Sequence, residues 1–385
     1  MTVELRPLGV LCNLACEYCY QNPQREAKNV AHRYDIERMK SAVEAEGGPF
    51  NLFGGEPLLL PLRDLETLWA WGLERYGRNG VQTNGTTIRS AHIDLFKRYK
   101  VHVGISIDGP GEMNALRVAH SRSPEATVKA TAKAERAIEQ LCEAGIVPGL
   151  IVTLHRTNAS PAVIGRLHDW FRRLDALGLR SVGLHVLESE SDAIRQAHGL
   201  SMAENIEAFL GLYELGKSFA NIRFQLFDEM RALLMGKDDK ASCVWTACDP
   251  YTTRAVRGIE GNGRRSNCGR TNKDGIDFVK SASSGYERYI SLYFSAQEDG
   301  GCAGCRFFLM CKGNCPGTAI NGDWRNRTEF CELWKALFVR FEDEIRREGR
   351  TPLSLGPERT ALEQRMVAEW CGGRNPSLAE AMAQL

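Results

Sequence analysis

The run Cys12-Asn-Leu-Ala-Cys16-Glu-Tyr18-Cys19 places three cysteines on one short stretch near the start of the chain, with an aromatic residue directly before the third. Three thiolates at this spacing can bind three irons of a [4Fe–4S] cluster. The fourth iron then has no ligand from the run, and a small molecule can bind there. The run therefore predicts a reactive cluster site rather than a site for electron storage alone.

Zinc and disulfides are weaker interpretations of the run. Structural zinc usually takes four ligands in two closely spaced pairs, and no fourth Cys or His follows nearby. Disulfide frameworks are typical of short secreted chains, whereas this chain has 385 residues and begins with MTVELRPLGVL, which lacks the anatomy of a signal peptide. An open iron can chelate S-adenosylmethionine (SAM) through its amino and carboxylate groups and reduce its sulfonium, so the run favours radical chemistry.

The composition excludes several classes of function. The chain is 43% hydrophobic and 25% charged, its net charge is +1 and it has no basic tract, so a large core is expected and nucleic acid is not an expected partner. No apolar run approaches the roughly 18–20 residues of a membrane span, so we expect no membrane segment. Thirteen cysteines are expected to be mainly metal ligands in a reducing compartment, and we expect a cytoplasmic protein.

The first 190 residues alternate short apolar segments with amphipathic ones, the pattern of βα units in a parallel sheet or barrel. The predicted strands are Val3–Arg6, Phe50–Phe53, Gly80–Gln82, Val101–Ile107, Val147–Leu154 and Ser181–Val186. The predicted helices are Tyr34–Glu46, Leu62–Tyr76, Ala91–Tyr99, Ala126–Ala144 and Pro161–Leu177. Six βα units predict a partial α/β barrel, open on one side, whose active site lies at the carboxyl ends of the strands.

The remainder of the chain changes in character at Cys243. Residues 201–242 look helical, with one short strand predicted at Ile222–Phe227. Residues 243–331 are rich in Gly, Asn and Cys, which predicts a small domain held by metal clusters rather than by a hydrophobic core. We therefore predict a barrel domain over 1–225, a Cys-rich domain over 226–335 and a helical tail over 336–385.

A glycine-rich turn follows the second predicted strand. Gly54 and Gly55 let the backbone approach a ligand closely, and the Glu56 carboxylate can receive an ammonium group. Considered alone, the turn is equally a plain strand-to-helix connection. One strand after the cysteine run, it predicts the binding site for the SAM amino group.

Polar residues also end the third and fourth predicted strands. Their side chains can hold a ribose or a carboxylate, although each is more often a helix cap or a turn residue when considered alone. Arg117 is predicted to pair with the methionine carboxylate of SAM, with an ordinary surface Arg as the alternative, and Tyr18 is expected beside the cluster and the adenine. The predicted cofactor contacts are Tyr18, Gly54, Gly55, Glu56, Thr83, Asn84, Ser106, Asp108 and Arg117.

The order and spacing of the cysteine run, GGEP (54–57), QTNG (82–85) and SIDGP (106–110) resemble the radical SAM superfamily over residues 1 to about 190. The resemblance implies a partial (β/α)6 barrel in which a [4Fe–4S] cluster transfers one electron to SAM. It also implies a 5′-deoxyadenosyl radical that takes a hydrogen atom from an unactivated carbon, while the protein orients and shields the cofactor.

Eight further cysteines follow in the second half of the chain, enough for two four-thiolate clusters. They are Cys243, Cys248, Cys268, Cys302, Cys305, Cys311, Cys315 and Cys331. Zinc is the alternative, because spacing alone does not separate the two metals, but redox-inert zinc supplies no electrons to a neighbouring radical site. Cys142 and Cys371 are left over and are expected to be structural thiols.

The pattern C-x9–15-G-x4-C, gap, C-x2-C-x5-C-x3-C, gap, C is similar to the SPASM domain of radical SAM peptide and protein maturases. The resemblance implies an inner auxiliary cluster bound by Cys243, Cys248, Cys268 and Cys315. It implies an outer auxiliary cluster bound by Cys302, Cys305, Cys311 and Cys331. With the cluster of Cys12, Cys16 and Cys19, the chain is expected to hold three [4Fe–4S] clusters and SAM.

The resemblance leaves several reactions open: oxidation of Ser or Cys in a sulfatase, cross-linking of a ribosomal peptide, or excision of peptide backbone. Sulfatase-maturating enzymes place an aspartate base directly after the second inner-cluster cysteine, where this chain has Gly269. Asp249, Asp274 and Asp277 are candidate substitutes, each with a cap or surface role as the alternative. We therefore expect a maturase that cross-links a ribosomal precursor peptide or excises part of its backbone.

The resemblance to peptide maturases also implies protein partners. Eleven residues precede Cys12, so we expect a separate PqqD-like leader-binding protein, and a flavodoxin or ferredoxin as the reductant. The alternative from a different class is a non-catalytic iron–sulfur electron carrier or a zinc-structured binding module. The GGEP and QTNG turns favour the enzyme, because an electron carrier has no use for them.

Overall fold

A nine-stranded sheet organises the computed structural model, which describes residues 2–27, 33–189, 191–249, 252, 256–271 and 285–385. Its strands are β1 Val3–Arg6, β2 Phe50–Leu52, β3 Asn79–Thr83, β4 Val101–Ser106, β5 Gly149–Leu154, β6 Ser181–Val186, β7 Arg223–Phe224, β8 Arg257–Glu260 and β9 Arg265–Ser266. Their order is β7-β6-β5-β4-β3-β2-β1-β8-β9, and every neighbouring pair is parallel except β8 with β9.

Helices connect the parallel strands, as parallel pairing requires. They are α1 Asn22–Glu26, α2 Ile36–Glu46, α3 Leu62–Tyr76, α4 Ser90–Arg98, α5 Pro124–Glu143, α6 Arg156–Ala159, α7 Ile164–Ala176, α8 Asp192–His198, α9 Met202–Gly216, α10 Gln225–Leu234, α11 Glu287–Phe294, α12 Phe308–Cys311, α13 Cys331–Arg347, α14 Arg359–Cys371 and α15 Leu378–Met382. Short 3-10 helices are Pro57–Leu59, Gly111–Asn114, Cys243–Trp245, Pro316–Thr318, Ile320–Gly322 and Leu353–Leu355. No described helix is long and apolar enough to cross a membrane.

The apolar side chains that predict these elements form the core around the sheet. Leu5 of β1 and Ile105 of β4 are fully buried, as expected for strands with both faces covered. Helix α3 buries Leu65, Leu68 and Trp69, which lie three and four positions apart and therefore on one face. Burial of this stripe fixes the helix against the sheet.

Helix ends follow their capping residues. The Asp35 side chain accepts a hydrogen bond from the Arg38 amide at the start of α2, and Gly47 ends that helix with a φ of 71°. Ser123 caps α5 in the same way, through the Ala126 amide. These caps satisfy backbone groups that a helix leaves without partners.

The six predicted parallel strands are present close to their predicted bounds, as are the helices between them. The predicted strand at Ile222–Phe227 is much shorter, because helix α10 begins at Gln225 and leaves only Arg223–Phe224 extended. Strands β8 and β9 were not predicted. β8 pairs with β1 over Val3↔Arg257 to Arg6↔Glu260, so β1 has a parallel neighbour on each side.

The chain divides into two compact units. The first contains Met1–Gln225 and Arg257–Phe278, and the second contains Leu226–Val256 and Val279–Leu385. Residues 257–278 therefore join the first unit, because β8 and β9 are strands of its sheet, and the C-terminal helices belong to the same unit as most of the Cys-rich region. The predicted division into 1–225, 226–335 and 336–385 stays a prediction.

The second unit has an aromatic core of its own, contrary to the expectation of a domain held by metal clusters alone. Trp245 is fully buried, and its ring contacts Trp334 edge-on with centroids 5.6 Å apart and Phe338 with centroids 5.7 Å apart. Both partners lie on α13. The sequence places these aromatic residues far apart in a Cys-rich region, which is why composition alone did not reveal their contact.

Candidate functional site

The loop that carries Cys12, Cys16 and Cys19 follows β1 directly and leaves all three thiols half-buried. Its backbone is fixed from outside: the Ala15 amide donates to the Val118 carbonyl at 2.7 Å, and the Glu17 amide donates to the Leu116 carbonyl at 3.0 Å. Cysteines held on such a preorganised loop can bind a cluster without first ordering the chain.

The three thiols lie close enough to affect one another's charge. Burial raises the pKa of Cys16 to about 12, and Cys19 and Cys12 add to the shift against the effect of Arg117. Burial likewise raises the pKa of Cys12 to about 11. Metal binding at this loop must therefore release protons, and the thiolates need the positive charge of the irons.

The glycines of the GGEP turn allow it to pack closely against the backbone before the cysteine loop. The Gly55 amide donates to the Gly9 carbonyl at 2.9 Å, and the Glu56 amide donates to the Leu11 carbonyl at 2.8 Å. A Cβ on Gly55 would lie 1.9 Å from the Leu11 oxygen, and a Cβ on Gly54 would lie 2.4 Å from the Gly9 oxygen. The two glycines therefore permit the turn to pack on the backbone that leads into Cys12.

Glu56 is fully buried and already has partners. Its Oε1 accepts from the Leu58 amide at 3.0 Å and the Thr83 hydroxyl at 2.7 Å, and its Oε2 accepts from the Asn84 amide at 2.7 Å. Burial raises its pKa to about 7 against these hydrogen bonds. Since a carboxylate has about four acceptor positions, one remains for a ligand, and the predicted ammonium contact stays a prediction.

The QTNG turn lies beside the cysteine loop. Asn84 Nδ2 donates to Asn13 Oδ1 at 2.8 Å and lies 3.8 Å from Cys12 Sγ. On the neighbouring strand ends, Gln82 Nε2 donates to Ser106 Oγ at 2.9 Å. The turns after β2 and β3 and the end of β4 thus meet at one edge of the sheet, as the sequence predicted for its motif residues.

Asp108 is the centre of a buried polar cluster behind the cysteine loop. Its Oδ2 accepts from the Tyr18 hydroxyl, and its Oδ1 accepts from Arg117 Nη2 at 2.9 Å and from the Thr153 amide at 3.0 Å. The Arg117 charge opposes burial and lowers the pKa of Asp108 well below its usual range. Arg117 is therefore not a surface Arg, and its side chain is paired with Asp108.

His155 is a residue that sequence reasoning missed. It follows β5 directly, is fully buried, and its Nε2 lies 3.6 Å from Asp108 Oδ2. Its position just after a predicted strand, which identified the other motif residues, was the signal that could have found it.

A second missed group joins β6 to the segment after Cys268. Arg270 lies 2.6 Å from His185 Nδ1 and 3.2 Å from Glu188 Oε1. Because a guanidinium can only donate, Nδ1 must accept, and the proton of a neutral His185 is on Nε2. Burial and the Arg270 charge lower the pKa of His185 to about 3, so this ring is a neutral hydrogen-bond donor at physiological pH.

Tyr20 fills the space beside Gly269. A Cβ on Gly269 would lie 2.6 Å from Tyr20 Cε2, and Arg270 lies over the same ring at 5.8 Å from its centroid. A larger side chain at 269 would require the tyrosine to move. The glycine thus belongs to the local packing.

The candidate catalytic aspartates stay a prediction. Asp249 is buried, and its Oδ1 accepts from the Thr252 amide at 3.0 Å, which is the geometry of a turn cap. Asp274 and Asp277 lie outside the described residues. The identity of the base stays open.

The four cysteines predicted for the outer auxiliary cluster line one cavity in the second unit. Phe308, Trp334 and Phe338 form apolar walls around them. Burial raises the pKa of Cys302 to about 12, with further contributions from Cys305 and Cys331. The four cysteines thus share one cavity, and the cluster they are predicted to hold stays a prediction.

The cysteines predicted for the inner cluster lie in both units. Cys248 and Cys315 are buried and Cys243 is exposed in the second unit, and Cys268 is half-buried in the first. Their common cluster stays a prediction. Cys142 is half-buried on α5 and Cys371 is exposed at the end of α14, away from the described cluster motifs in sequence.

Comparison with known proteins finds similarity to one family model and to several curated relatives. Residues 7–160 match the model of the radical SAM superfamily. The serine-type anaerobic sulfatase-maturating enzyme of Klebsiella aerogenes is 32% identical over 221 residues, which cover 54% of this chain and 52% of the relative. The cysteine-type enzyme of Clostridium perfringens (strain 13 / Type A) is 25% identical over 350 residues, covering 82% of this chain and 88% of the relative.

The fold has a match among solved structures. Native anSMEcpe with bound AdoMet and Cp18Cys peptide superposes with a TM-score of 0.68 at 19% identity, covering 90% of this chain and 99% of that chain. The likeness shows a shared fold. The chain spans about half the length of the first curated relatives it matches.

Proposed function

Residues 7–160 of this chain belong to the radical SAM superfamily, and from that premise we propose that the protein is a maturase of ribosomally made peptides. It would bind SAM at a [4Fe–4S] cluster and form a cross-link or excise part of the backbone in its peptide. When bound, SAM and the cluster supply a 5′-deoxyadenosyl radical that removes a hydrogen atom from carbon.

The observation that carries the proposal is the convergence of the motif turns around the cysteine loop. Cys12, Cys16 and Cys19 would hold three irons. The GGEP turn packs on the backbone that leads into Cys12, and Asn84 lies beside that cysteine. An electron carrier or a structural metal site needs no such set of turns.

The remaining residues of the site would bind and orient the cofactor and the peptide. The buried cluster of Tyr18, Asp108 and Arg117 holds the cysteine loop from behind and supplies fixed charge. His185 offers its Nε2–H as a donor whose direction Arg270 fixes. Fixed donors of this kind orient a ligand without reorganising when it binds.

Packing at Gly269 supports cross-linking or excision over sulfatase-type oxidation. The sulfatase-maturating pattern has an aspartate at this position, and here the Tyr20 ring occupies the space that its side chain would need. The chain would then need a different proton acceptor, so its reaction is expected to differ in the step after hydrogen abstraction.

Two auxiliary [4Fe–4S] clusters complete the proposed cofactor set. The cavity lined by Cys302, Cys305, Cys311 and Cys331 supports the outer one. The inner one, with Cys243, Cys248, Cys268 and Cys315, rests on the sequence pattern. Thirteen cysteines in one chain suit metal ligation in a reducing cytoplasm.

The proposed partners are a ribosomal precursor peptide, a separate PqqD-like leader-binding protein, and a flavodoxin or ferredoxin as reductant. Sulfatase maturation is the second candidate function. The likeness to cysteine-type sulfatase-maturating enzymes over 350 residues favours it.

The test is an anaerobic assay of the reconstituted enzyme with SAM, dithionite and any short precursor peptide found encoded near the gene, with and without any leader-binding protein found there. We expect 5′-deoxyadenosine and a peptide that has lost two hydrogens, or a larger residue-sized mass for excision. The Cys12/Cys16/Cys19→Ala variant should form neither. Formation of a hydrazine-reactive aldehyde on a sulfatase peptide would favour the second candidate, and an isobaric precursor with an inverted α-carbon would contradict both.

A further inference from the structure

Glu188 is a half-buried carboxylate at the edge of the sheet where the motif turns meet. It lies two positions beyond Val186, the last residue of β6, and parallel barrels place their active sites at the carboxyl ends of their strands. Its side chain is 17% exposed, so a bound peptide can reach it without a rearrangement of the chain. This position makes Glu188 a candidate for a role in the chemistry.

The residue before Glu188 packs against the cysteine loop. Leu187 forms a buried cluster with Leu116 and with Tyr18, the aromatic residue that directly precedes Cys19. Because Glu188 follows Leu187 directly, its backbone lies within one residue of the side chains that surround this loop. The carboxylate therefore belongs to the surroundings of the cysteine loop and not to a distant surface.

Arg270 holds the carboxylate from the other side. Its Nη1 lies 3.2 Å from Glu188 Oε1, and its Nη2 lies 2.6 Å from His185 Nδ1 on β6. The guanidinium also lies over the ring of Tyr20, 5.8 Å from the centroid. Since the nitrogens of a guanidinium form a rigid fork, these contacts together fix the direction in which the Glu188 carboxylate points.

One oxygen of this carboxylate remains available. Oε1 contacts Arg270, whereas Oε2 of Glu188 forms no hydrogen bond with the residues that the structure describes and is not one of their fully buried polar atoms. A carboxylate needs a free lone pair at an accessible oxygen to take up a proton from a ligand. Glu188 Oε2 meets this requirement.

The other carboxylates near the cysteine loop are less suited to take up a proton. Glu56 and Asp108 are fully buried, and each accepts hydrogen bonds from three groups of the described chain. Glu17 pairs with His198 at 3.3 Å, and their side chains are 29% and 28% exposed. Glu188 is more enclosed than Glu17 and, unlike the two buried carboxylates, has an oxygen that a peptide can reach.

The joining of two groups of a peptide requires a proton acceptor. A carbon of the peptide first gives a hydrogen atom to the 5′-deoxyadenosyl radical. As this carbon then bonds to a second group, the bond between that group and its own hydrogen breaks, and one proton and one electron leave. The electron passes to an oxidised iron–sulfur cluster of the proposed cofactor set, and the proton needs a base.

We propose that Glu188 is the general base that accepts this proton on Oε2, with Arg270 as the residue that positions it. The inference rests on the proposed function, which supplies the reaction. Sulfatase-type oxidation, the second candidate, also releases one proton and one electron after hydrogen abstraction, so the same base serves it. The carboxylic acid formed on Glu188 returns its proton to water before the next turnover.

The experiment compares Glu188→Gln and Glu188→Asp with the wild-type holoenzyme in the anaerobic assay. Two peptide probes are used, any short precursor found encoded near the gene and a serine-containing sulfatase peptide, each deuterated at the carbon that loses its hydrogen. Glu188→Gln should lower the rate of product formation by roughly 10²-fold or more, while deuterium still enters 5′-deoxyadenosine, because abstraction precedes proton loss. Glu188→Asp keeps the carboxylate and should recover part of the rate.

Glu66→Gln on α3 is the matched control. It removes one member of an ion pair of similar length, with Arg98 at 3.0 Å, from a side chain that is 42% exposed, and product formation should stay at the wild-type rate. Iron content and melting temperature should be unchanged in all three variants, because Gln has nearly the shape of Glu. A purely structural role of Glu188 would instead lower product and labelled 5′-deoxyadenosine together.

Two results in Glu188→Gln would overturn the inference: product formation at the wild-type rate, or equal losses of product and labelled 5′-deoxyadenosine. Failure here differs from failure of the proposed function. A wild-type enzyme that converts a probe, beside a Glu188→Gln variant that converts it equally well, rejects only the assignment of the base. A wild-type enzyme that converts neither probe rejects the proposed function and, with it, the reaction in which Glu188 would act.

Discussion

At the scale of single residues, Gly55 is the position where one added methyl group would disturb the cysteine loop. Its Cβ would meet the Leu11 backbone at 1.9 Å, and backbone cannot move aside as a flexible side chain can. We expect Gly55→Ala to destabilise the protein by about 1–3 kcal/mol and to lower the iron retained at Cys12, Cys16 and Cys19. Chemical unfolding and iron analysis of the reconstituted variant measure both effects.

Gly165→Ala is the matched control for that substitution. A Cβ at Gly165 meets nothing within 4 Å, and the residue lies in helix α7, where alanine is favourable. Full iron content and unchanged stability in Gly55→Ala would show that the turn does not depend on this close approach.

Single residues also show what the sequence could reveal about the site. Thr83, Asn84 and Asp108 were predictable because they end strands with clear apolar patterns. The contacts between side chains were harder to predict. Arg117 pairs with Asp108, and the contact between Arg270 and His185 joins positions 85 apart in sequence. No local pattern encodes such a contact, since it depends on how β6 and the segment after β9 fold together.

At the scale of elements, strand β8 is held to β1 by a buried ion pair. Arg6 Nη2 lies 2.5 Å from Glu260 Oε1 and donates to the Asn267 carbonyl at 2.8 Å. Removing one member of a buried pair costs about 3–5 kcal/mol, because the other charge stays buried. We expect Arg6→Met to cause a loss of this size in denaturant unfolding, and Arg6→Met with Glu260→Gln to recover part of it.

The exposed pair Arg38–Asp35 offers the control for this prediction. Its side chains are 74% and 49% exposed at a separation of 3.4 Å, so Arg38→Met should change stability by less than about 1 kcal/mol. Equal effects of Arg6→Met and Arg38→Met would mean that the buried pair does not fasten β8.

The elements differ in how well the sequence predicts them. β1 to β6 carry apolar residues in strand-like runs, and the helices between them repeat apolar residues at helical spacing, so local patterns were sufficient. β8 has four residues and pairs with β1 from the other end of the first unit's sequence, and β9 has two residues and pairs with β8. Their hydrogen bonds to β1 and to each other, and not their own composition, make them strands.

At the scale of the whole molecule, iron should be part of the folded structure. Eleven cysteines in three groups predict about twelve irons per reconstituted chain. We expect Cys302→Ser with Cys305→Ser to lose about four of them and to lower the melting temperature, because the cavity that these cysteines line would lose the cluster that joins its walls. Iron and sulfide analysis and thermal unfolding measure the two effects.

Cys142→Ser with Cys371→Ser is the control, since neither thiol belongs to a predicted cluster. This variant should keep its full iron content. About four irons per chain together with bound zinc in the wild type would contradict the three-cluster assignment.

The pairing of β1 with β8 also has a consequence for synthesis on the ribosome. Ser266, which the buried Arg6 side chain contacts, lies 260 positions later in the chain. At translation rates of about 5–20 residues per second, β8 is synthesised on the order of ten to fifty seconds after β1. During that interval the nascent chain exposes the edge of β1 and the Arg6 side chain lacks its Glu260 partner. A chaperone that covers this edge would protect the nascent chain from aggregation.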